Sequence, residues 1–183
     1  MFKKILFFVI ILIVLISSPI FASTSMEYLA NQSLADEFNN YRSLAMVTKA
    51  LSTMGVDTTR LKNKLNFLNA EQDLRDKAFK LLATSNPDIA ETFTANQTYN
   101  GSWNNDIYLT GLITYIFRET GLETDTAQNG ANYLRNHPND NGGWGNNGTS
   151  GPMDTALALM ALKKSNYNDE TTQKGLQWLL LHQ

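Results

Sequence analysis

Acidic and aromatic side chains occur together in two tryptophan-containing stretches, and these residues are the best suited to chemistry or ligand binding. Asp106 and Tyr108 follow Trp103, and Asp154 follows Trp144. A carboxylate can act as a general acid or base, and an aromatic ring can stack on a sugar or an apolar ligand. Both aspartates also precede helix-forming runs, where an aspartate commonly caps the helix. We predict these five residues as a candidate ligand-binding set and assign no catalytic residue.

The sequence offers little for metal, thiol or phosphate chemistry. Cysteine is absent, so disulfides, thiolate nucleophiles and cysteine-ligated metals are excluded. The two histidines, His137 and His182, hold corresponding places in an internal repeat, so we expect them to project in parallel rather than share an ion. The glycine-rich stretch 141–145 precedes a helix but lacks the spacing of nucleotide-binding loops. We therefore predict no metal and no cofactor.

The N-terminus has the pattern of a secretory signal peptide. Lys3 and Lys4 precede an unbroken apolar run over residues 5–16, and Ala22 offers a small residue for cleavage. We predict removal of residues 1–22 and a secreted or cell-surface protein. The alternative is an uncleaved membrane anchor, although the run is short for a span of about 20 residues. A net charge of −2 favours neither nucleic acid nor an anionic membrane, so we expect membrane contact only through this segment.

An internal repeat predicts pairs of α-helices. In each of three segments a glycine or asparagine, suited to a left-handed helix C-cap, precedes an aromatic residue by the same 12 positions. The pairs are Gly55 and Phe67, Gly121 and Tyr133, and Asn166 and Trp178. Such helical hairpins must bury their apolar faces against neighbouring hairpins. We expect apolar helices such as 154–162 inside the stack, amphipathic ones such as 169–182 outside it, and no strands.

The remainder of the chain is assigned to one domain. We predict a repeat domain over residues 23–183, with repeats near 34–103, 104–144 and 154–183. The first repeat is longer than the others because a segment between Gln72 and Gln97 is inserted, and we expect it to add a helix that Asn86-Pro87 breaks.

Two Gly-x-Trp turns connect the predicted repeats, at residues 101–103 and 142–144. With the aromatic–aliphatic pairs ahead of them they resemble the QW motif: a basic residue and glycine, an aromatic–aliphatic pair, a glutamine, then Gly-x-Trp. The middle copy matches at Gly130, Tyr133, Leu134, Gly142 and Trp144, but Asn129 replaces the basic residue and Pro138 replaces the glutamine. The last copy matches at Lys174, Gly175, Trp178, Leu179 and Gln183, where the sequence ends. The first copy is split, with Phe67, Leu68 and Gln72 as its front half and Gln97, Gly101 and Trp103 as its back half.

Over residues 45–183 the chain therefore resembles the terpenoid cyclase and protein prenyltransferase superfamily. The resemblance implies an all-α fold of the α/α-toroid type, here an incomplete ring of about three hairpins truncated at its C-terminus. It also implies that the tryptophans tie helices together rather than perform chemistry. The Asp-x-Asp-Asp acid of squalene-type cyclases, the zinc ligands of prenyltransferases and the thioester of complement-type domains are all missing.

The missing groups favour a non-catalytic function. We expect an exported repeat domain that binds a ligand, a glycan or a protein partner on its concave face, or that forms part of a longer protein. The alternative is a terpenoid cyclase acting on an isoprenoid, which the QW motifs favour. A weaker alternative is a polysaccharide-active enzyme, in which the aromatic residues would stack on sugars.

Overall fold

The computed structural model describes residues 27–28, 30–31, 40–68 and 73–182. The predicted signal peptide, residues 1–22, lies outside these ranges. Residues 40–68 and 73–182 form eight α-helices and one short 3-10 turn, and no strand occurs in the described part of the chain. The prediction of an all-α fold is confirmed. None of the described helices is both long and apolar enough to cross a bilayer.

The chain divides into two compact units, residues 1–70 and 71–183. The described part of the first unit is a hairpin of α1, Tyr41–Thr53, and α2, Thr59–Phe67. The side chain of Asn40 caps α1 by accepting from the backbone N–H groups of residues 42 and 43. The buried leucines of the hairpin are Leu44, Leu51, Leu61 and Leu65. Phe67 is 89% exposed. It differs in this from Tyr133 and Trp178, which hold the corresponding position of the predicted repeat and are buried.

The second unit contains three hairpins. Their helices are α3, Leu74–Thr84, and α4, Pro87–Ala95; α5, Ile107–Thr120, and α6, Thr124–Asn136; α7, Pro152–Lys164, and α8, Glu170–Leu181. The first helices of the hairpins lie side by side, with α5 packed against both α3 and α7, while α6 packs on α5 and α8 on α7. A 3-10 turn, Asn146–Gly148, precedes α7. This lateral order brings the beginnings of α3, α5 and α7 to one end of the unit.

The segment expected to add one broken helix forms a complete hairpin, α3–α4. Ser85 adopts a left-handed conformation, with φ of 51°, and ends α3. Asn86 then caps α4, and Pro87 occupies its first turn, where the missing N–H costs no helical hydrogen bond. The proline therefore starts a helix instead of interrupting one. The described part of the predicted first repeat, 34–103, accordingly contains two hairpins.

Helix α5 lies at the centre of the second unit. Every residue from Leu109 to Phe117 except Tyr115 is buried, as expected for an apolar helix inside a stack. Helix α7, which was also predicted to lie inside, buries only one face, and Met160 on its other side is 45% exposed. Its neighbours α5, α6 and α8 leave that side uncovered within the described residues.

Candidate functional site

The two Gly-x-Trp tryptophans join consecutive hairpins and are fully buried. The indole N–H of Trp103 donates to the carbonyl of Phe93 at 2.8 Å, and that of Trp144 donates to the carbonyl of Leu134 at 2.7 Å. Both carbonyls lie in the last turn of a helix, where each otherwise accepts only from the N–H three residues later, that of Asn96 at 3.1 Å or His137 at 3.2 Å. The backbone N–H groups of the same tryptophans donate to Oγ1 of a threonine in the following helix, Thr110 or Thr155. Neither ring is therefore accessible to a ligand.

Helical glycines make room for these rings. A Cβ at Gly130 would collide with Oγ1 of Thr114 in the same hairpin and would also lie only 3.2 Å from Cζ3 of Trp103. A Cβ at Gly175 would collide with Cζ3 of Trp144. The glycines of the QW-like pattern thus permit the close approach of an indole to the next hairpin's second helix. Trp103 and Trp144, two of the five predicted ligand-binding residues, are therefore buried packing residues.

The other three predicted residues lie at the end of the second unit where α3, α5 and α7 begin. Asp106 is the N-cap of α5, as predicted, and its Oδ1 accepts from the N–H of Leu109 at 2.7 Å. Its Oδ2 lies 3.3 Å from Nδ2 of Asn146, which donates to it, and 3.9 Å from a guanidinium nitrogen of Arg75. Both carboxylate oxygens of Asp106 are therefore engaged.

Asn146 connects the 3-10 turn to the start of α5. Its Oδ1 accepts from the N–H of Ile107 at 2.9 Å, while its Nδ2 donates to Asp106. One amide side chain thus bonds both the first residue of α5 and the residue that caps it. We call this pair of hydrogen bonds the Asn146 clasp.

Tyr108, whose ring is half-buried, contacts the guanidinium group of Arg75 that also approaches Asp106. The guanidinium carbon of Arg75 lies 4.8 Å from the centroid of the Tyr108 ring, within cation–π range. Arg75 is exposed and comes from the first turn of α3. The contact therefore joins the beginnings of two neighbouring hairpins.

Asp154 is not the N-cap that its sequence position predicted. Helix α7 begins earlier, at Pro152, with Gly151 as N-cap, so Asp154 falls in the first turn. Burial raises the pKa of Asp154, the charge of Asp106 raises it further, and Arg75 opposes both. No hydrogen bond to its carboxylate is formed by the residues that the structure describes. Within the described part of the chain, Asp154 is thus a half-buried carboxyl group without a hydrogen-bond partner.

We call Arg75, Asp106, Tyr108, Asn146 and Asp154 the polar cluster. Sequence reasoning found three of its members but missed Arg75 and Asn146. Arg75 lies in the inserted segment, remote in sequence from the tryptophan turns, and Asn146 is one of several asparagines in its loop. No local pattern distinguished either residue, because only the lateral packing of the hairpins brings them to Asp106.

The polar cluster offers groups suited to binding a polar ligand, and one carboxyl group, that of Asp154, that could give or take a proton. Both carboxylate oxygens of Asp106, by contrast, already have partners. The described residues contain no group of three or more His, Cys, Asp or Glu side chains that could hold a metal ion.

The histidines lie elsewhere and are each held within their own helix end. His137 stacks on Tyr133 with 4.0 Å between ring centroids, and His182 stacks on Trp178 at 4.2 Å. The Nδ1 atom of each lies 2.7 Å from the carbonyl oxygen of the residue it stacks on. Each histidine therefore closes the last turn of a helix, and the structure does not bring the two together.

Comparisons of the chain with models of known protein families, with curated proteins and with solved structures gave no match. The resemblance to the toroid superfamily therefore rests on the QW-like residues alone. The function of the polar cluster has to be inferred from its own contacts, burial and charges.

Proposed function

We propose that this chain is an exported, toroid-type repeat domain that binds a ligand without transforming it. The observation that carries the proposal is the polar cluster, to which the beginnings of three neighbouring hairpins contribute side chains. A binding site assembled from several elements on a rigid helical stack can hold its groups in fixed positions.

The composition of the polar cluster favours a neutral, hydroxyl-rich ligand such as an oligosaccharide. Asp154 offers a carboxyl group that has no hydrogen-bond partner among the described residues. Asn146 offers the second hydrogen of its exposed Nδ2, because the clasp uses the other, and Tyr108 offers a partly exposed ring. Carboxyl, amide and guanidinium groups supply both donors and acceptors, as hydroxyl groups require. Because Trp103 and Trp144 are buried, Tyr108 is the one predicted aromatic residue placed to stack on a sugar.

Nuclear magnetic resonance titration with neutral oligosaccharides tests this proposal. We expect malto-, cello- or chito-oligosaccharides to shift the amide signals of Ile107 and Leu109, whose N–H groups bond Asn146 and Asp106. Tyr108→Ala should weaken binding by roughly 1 kcal/mol, the scale of one aromatic contact. Tyr99→Ala is the matched control, because Tyr99 is fully exposed and lies outside the polar cluster. Equal losses in both variants, or shifts confined to other parts of the domain, would contradict the assignment.

Export is a separate part of the proposal, supported by the basic and apolar pattern of residues 1–22. Mass spectrometry of the protein recovered from culture medium should find its N-terminus close to residue 23. Recovery of the intact N-terminus in the membrane fraction would instead support the anchored alternative.

A terpenoid cyclase remains the second candidate, and one observation favours it. Protonation of an alkene requires a carboxylic acid that keeps its proton, and the raised pKa of Asp154 is in that direction. Incubation with squalene, followed by gas chromatography and mass spectrometry, decides between the candidates. A cyclised product that Asp154→Asn abolishes would overturn the non-catalytic proposal, whereas unchanged squalene supports it.

A further inference from the structure

Four asparagine–glycine dipeptides in this chain could each undergo deamidation of the asparagine side chain. They are Asn100-Gly101, Asn129-Gly130, Asn141-Gly142 and Asn147-Gly148. The backbone nitrogen of a following glycine can attack the side-chain carbonyl carbon of asparagine, since glycine has no Cβ to obstruct the approach. In an unfolded chain the four sites have the same local chemistry, so the fold decides which of them reacts.

Two of the asparagines in loops are restrained by their own hydrogen bonds. The Oδ1 of Asn100 accepts from the N–H of Ser102 at 3.0 Å, and that of Asn141 accepts from Oγ of Ser150 at 2.7 Å. The glycine nitrogens that would attack are occupied as well, because Gly101 donates to Thr98 and Gly142 donates to Asn139. Reaction at either site requires several of these bonds to break first.

The third site, Asn129-Gly130, lies inside α6. Its backbone is fixed by the helical hydrogen bonds on both sides of the dipeptide, so the glycine nitrogen cannot turn towards the asparagine side chain without unwinding the helix.

Asn147 differs from the other three asparagines. It is exposed, sits at the middle of the 3-10 turn, and has a left-handed backbone with φ of 55°. Within the described residues its side chain makes no hydrogen bond, and a Cβ placed on the adjacent Gly148 would meet no atom within 4 Å. Nothing therefore holds the Asn147 side chain away from the nitrogen of Gly148.

We propose that Asn147 is the preferred site of spontaneous deamidation in the folded protein. The Gly148 nitrogen forms a bond to Cγ of Asn147, loses its proton to solvent, and the amide leaves as ammonia. Water then opens the resulting succinimide at one of its two carbonyl groups, which gives an aspartyl or an isoaspartyl residue. The reaction consumes one water molecule and needs no other reactant.

The modification reaches the start of α5 through the neighbouring Asn146 clasp. A new carboxylate at residue 147 adds negative charge next to the Asn146–Asp106 hydrogen bond, and an isoaspartyl linkage lengthens the backbone beside it. Repulsion between the new carboxylate and Asp106 disfavours the Asn146–Asp106 bond, and the longer backbone displaces Asn146 Oδ1 from the Ile107 N–H. Deamidation is thus expected to loosen the loop that holds α5 at its first residue.

Peptide mapping of the purified full chain tests the proposal. The protein is incubated at mildly alkaline pH, with and without denaturing urea, and the acid formed at each asparagine is measured by mass spectrometry over time. In the folded protein we expect Asn147 to react at least about tenfold faster than Asn141, because two side-chain hydrogen bonds of Asn141 must break first. In urea the four rates should converge.

The variant Asn147→Gln provides the control, since the longer side chain cannot form the five-membered ring. In this variant the rate of amide hydrogen exchange at Ile107 should stay constant during incubation. In the protein with the original sequence, exchange at Ile107 should accelerate as aspartate and isoaspartate accumulate at residue 147. A faster reaction at Asn100, Asn129 or Asn141 in the folded state would overturn the proposal. Equal rates at the four sites before urea is added would overturn it as well.

Discussion

The Trp144 ring leaves no room for a Cβ at Gly175, and Gly175→Ala tests this directly. A Cβ at residue 175 would collide with Cζ3 of the indole and lie 3.0 Å from its Cη2. Trp144 is fully buried and its N–H is bonded to the Leu134 carbonyl, so the ring has little freedom to withdraw. Either α8 or the indole must therefore shift to admit the methyl group.

The expected cost follows from two opposing effects. Overpacking a close-packed core costs about 1–3 kcal/mol, and alanine regains up to about 1 kcal/mol of helix propensity over glycine. The difference spans about 0–2 kcal/mol. Because the bonded indole has little freedom to withdraw, we expect the upper half of that range, a fall of about 1–2 kcal/mol in the free energy of unfolding of the second unit. For a unit of this size each kcal/mol corresponds to a fall in Tm of roughly 4–8 °C.

Urea unfolding followed by tryptophan fluorescence measures this effect selectively. All three tryptophans, Trp103, Trp144 and Trp178, belong to the second unit, so the signal reports on that unit alone. Trp144→Phe removes the part of the ring that the new methyl group would meet. The double variant should therefore lose less stability than the sum of the two single variants. Strict additivity, or a Gly175→Ala protein as stable as the original, would refute the explanation that the indole excludes a Cβ.

Three further perturbations have defined outcomes. Trp103→Phe removes the indole donor from the carbonyl of Phe93, which keeps its bond from the Asn96 N–H, and should cost about 0.5–1.5 kcal/mol in urea unfolding, the net value of one hydrogen bond; a cost near zero would contradict this. Arg135 lowers the pKa of Asp169, so this pair stabilises the fold at pH values above the ordinary pKa of aspartate, and the contribution is lost as pH falls through the lowered pKa. In Asp169→Asn, the free energy of unfolding should therefore fall less steeply on acidification. The pKa of Asp154 is raised, chiefly by burial, so this carboxyl group stabilises the fold at low pH and that contribution is lost as pH rises through its pKa. Asp154→Asn should therefore raise Tm more at neutral pH than at acidic pH. The same change in Tm at both pH values would contradict the raised pKa.

The helix ends of this protein follow from its sequence more directly than its packing does. The three turn positions predicted as left-handed caps, Gly55, Gly121 and Asn166, all have positive φ, between 63° and 78°. A left-handed residue leaves a local signature because few residue types tolerate it. The spacing to the next aromatic, by contrast, predicts burial only where a neighbouring hairpin covers it. Phe67 has the same spacing, yet among the described residues its ring is exposed.

The polar cluster shows the same division between local and non-local information. Asp106 was recognisable as a cap because its role depends on residues within one turn. Asp154 was misassigned because Pro152 starts α7 earlier than the apolar pattern indicated. Arg75 and Asn146 meet Asp106 across different hairpins, at distances that depend on how α3, α5 and α7 lie side by side. The spacing of residues within one segment therefore cannot predict contacts between side chains of different hairpins.

Each indole N–H bond in the Gly-x-Trp turns reaches back to a residue only ten positions earlier, and the accompanying threonine lies only 7 or 11 positions ahead. The hydrogen bonds of each tryptophan turn are thus made by residues close to it in sequence, whereas the glycine that admits the indole lies in the second helix of the next hairpin. A hairpin duplicated or deleted together with its turn would carry these hydrogen bonds with it. The new junction would form only if the hairpin that follows also has a glycine facing the indole, so the length of such a stack can change only between hairpins that have both features.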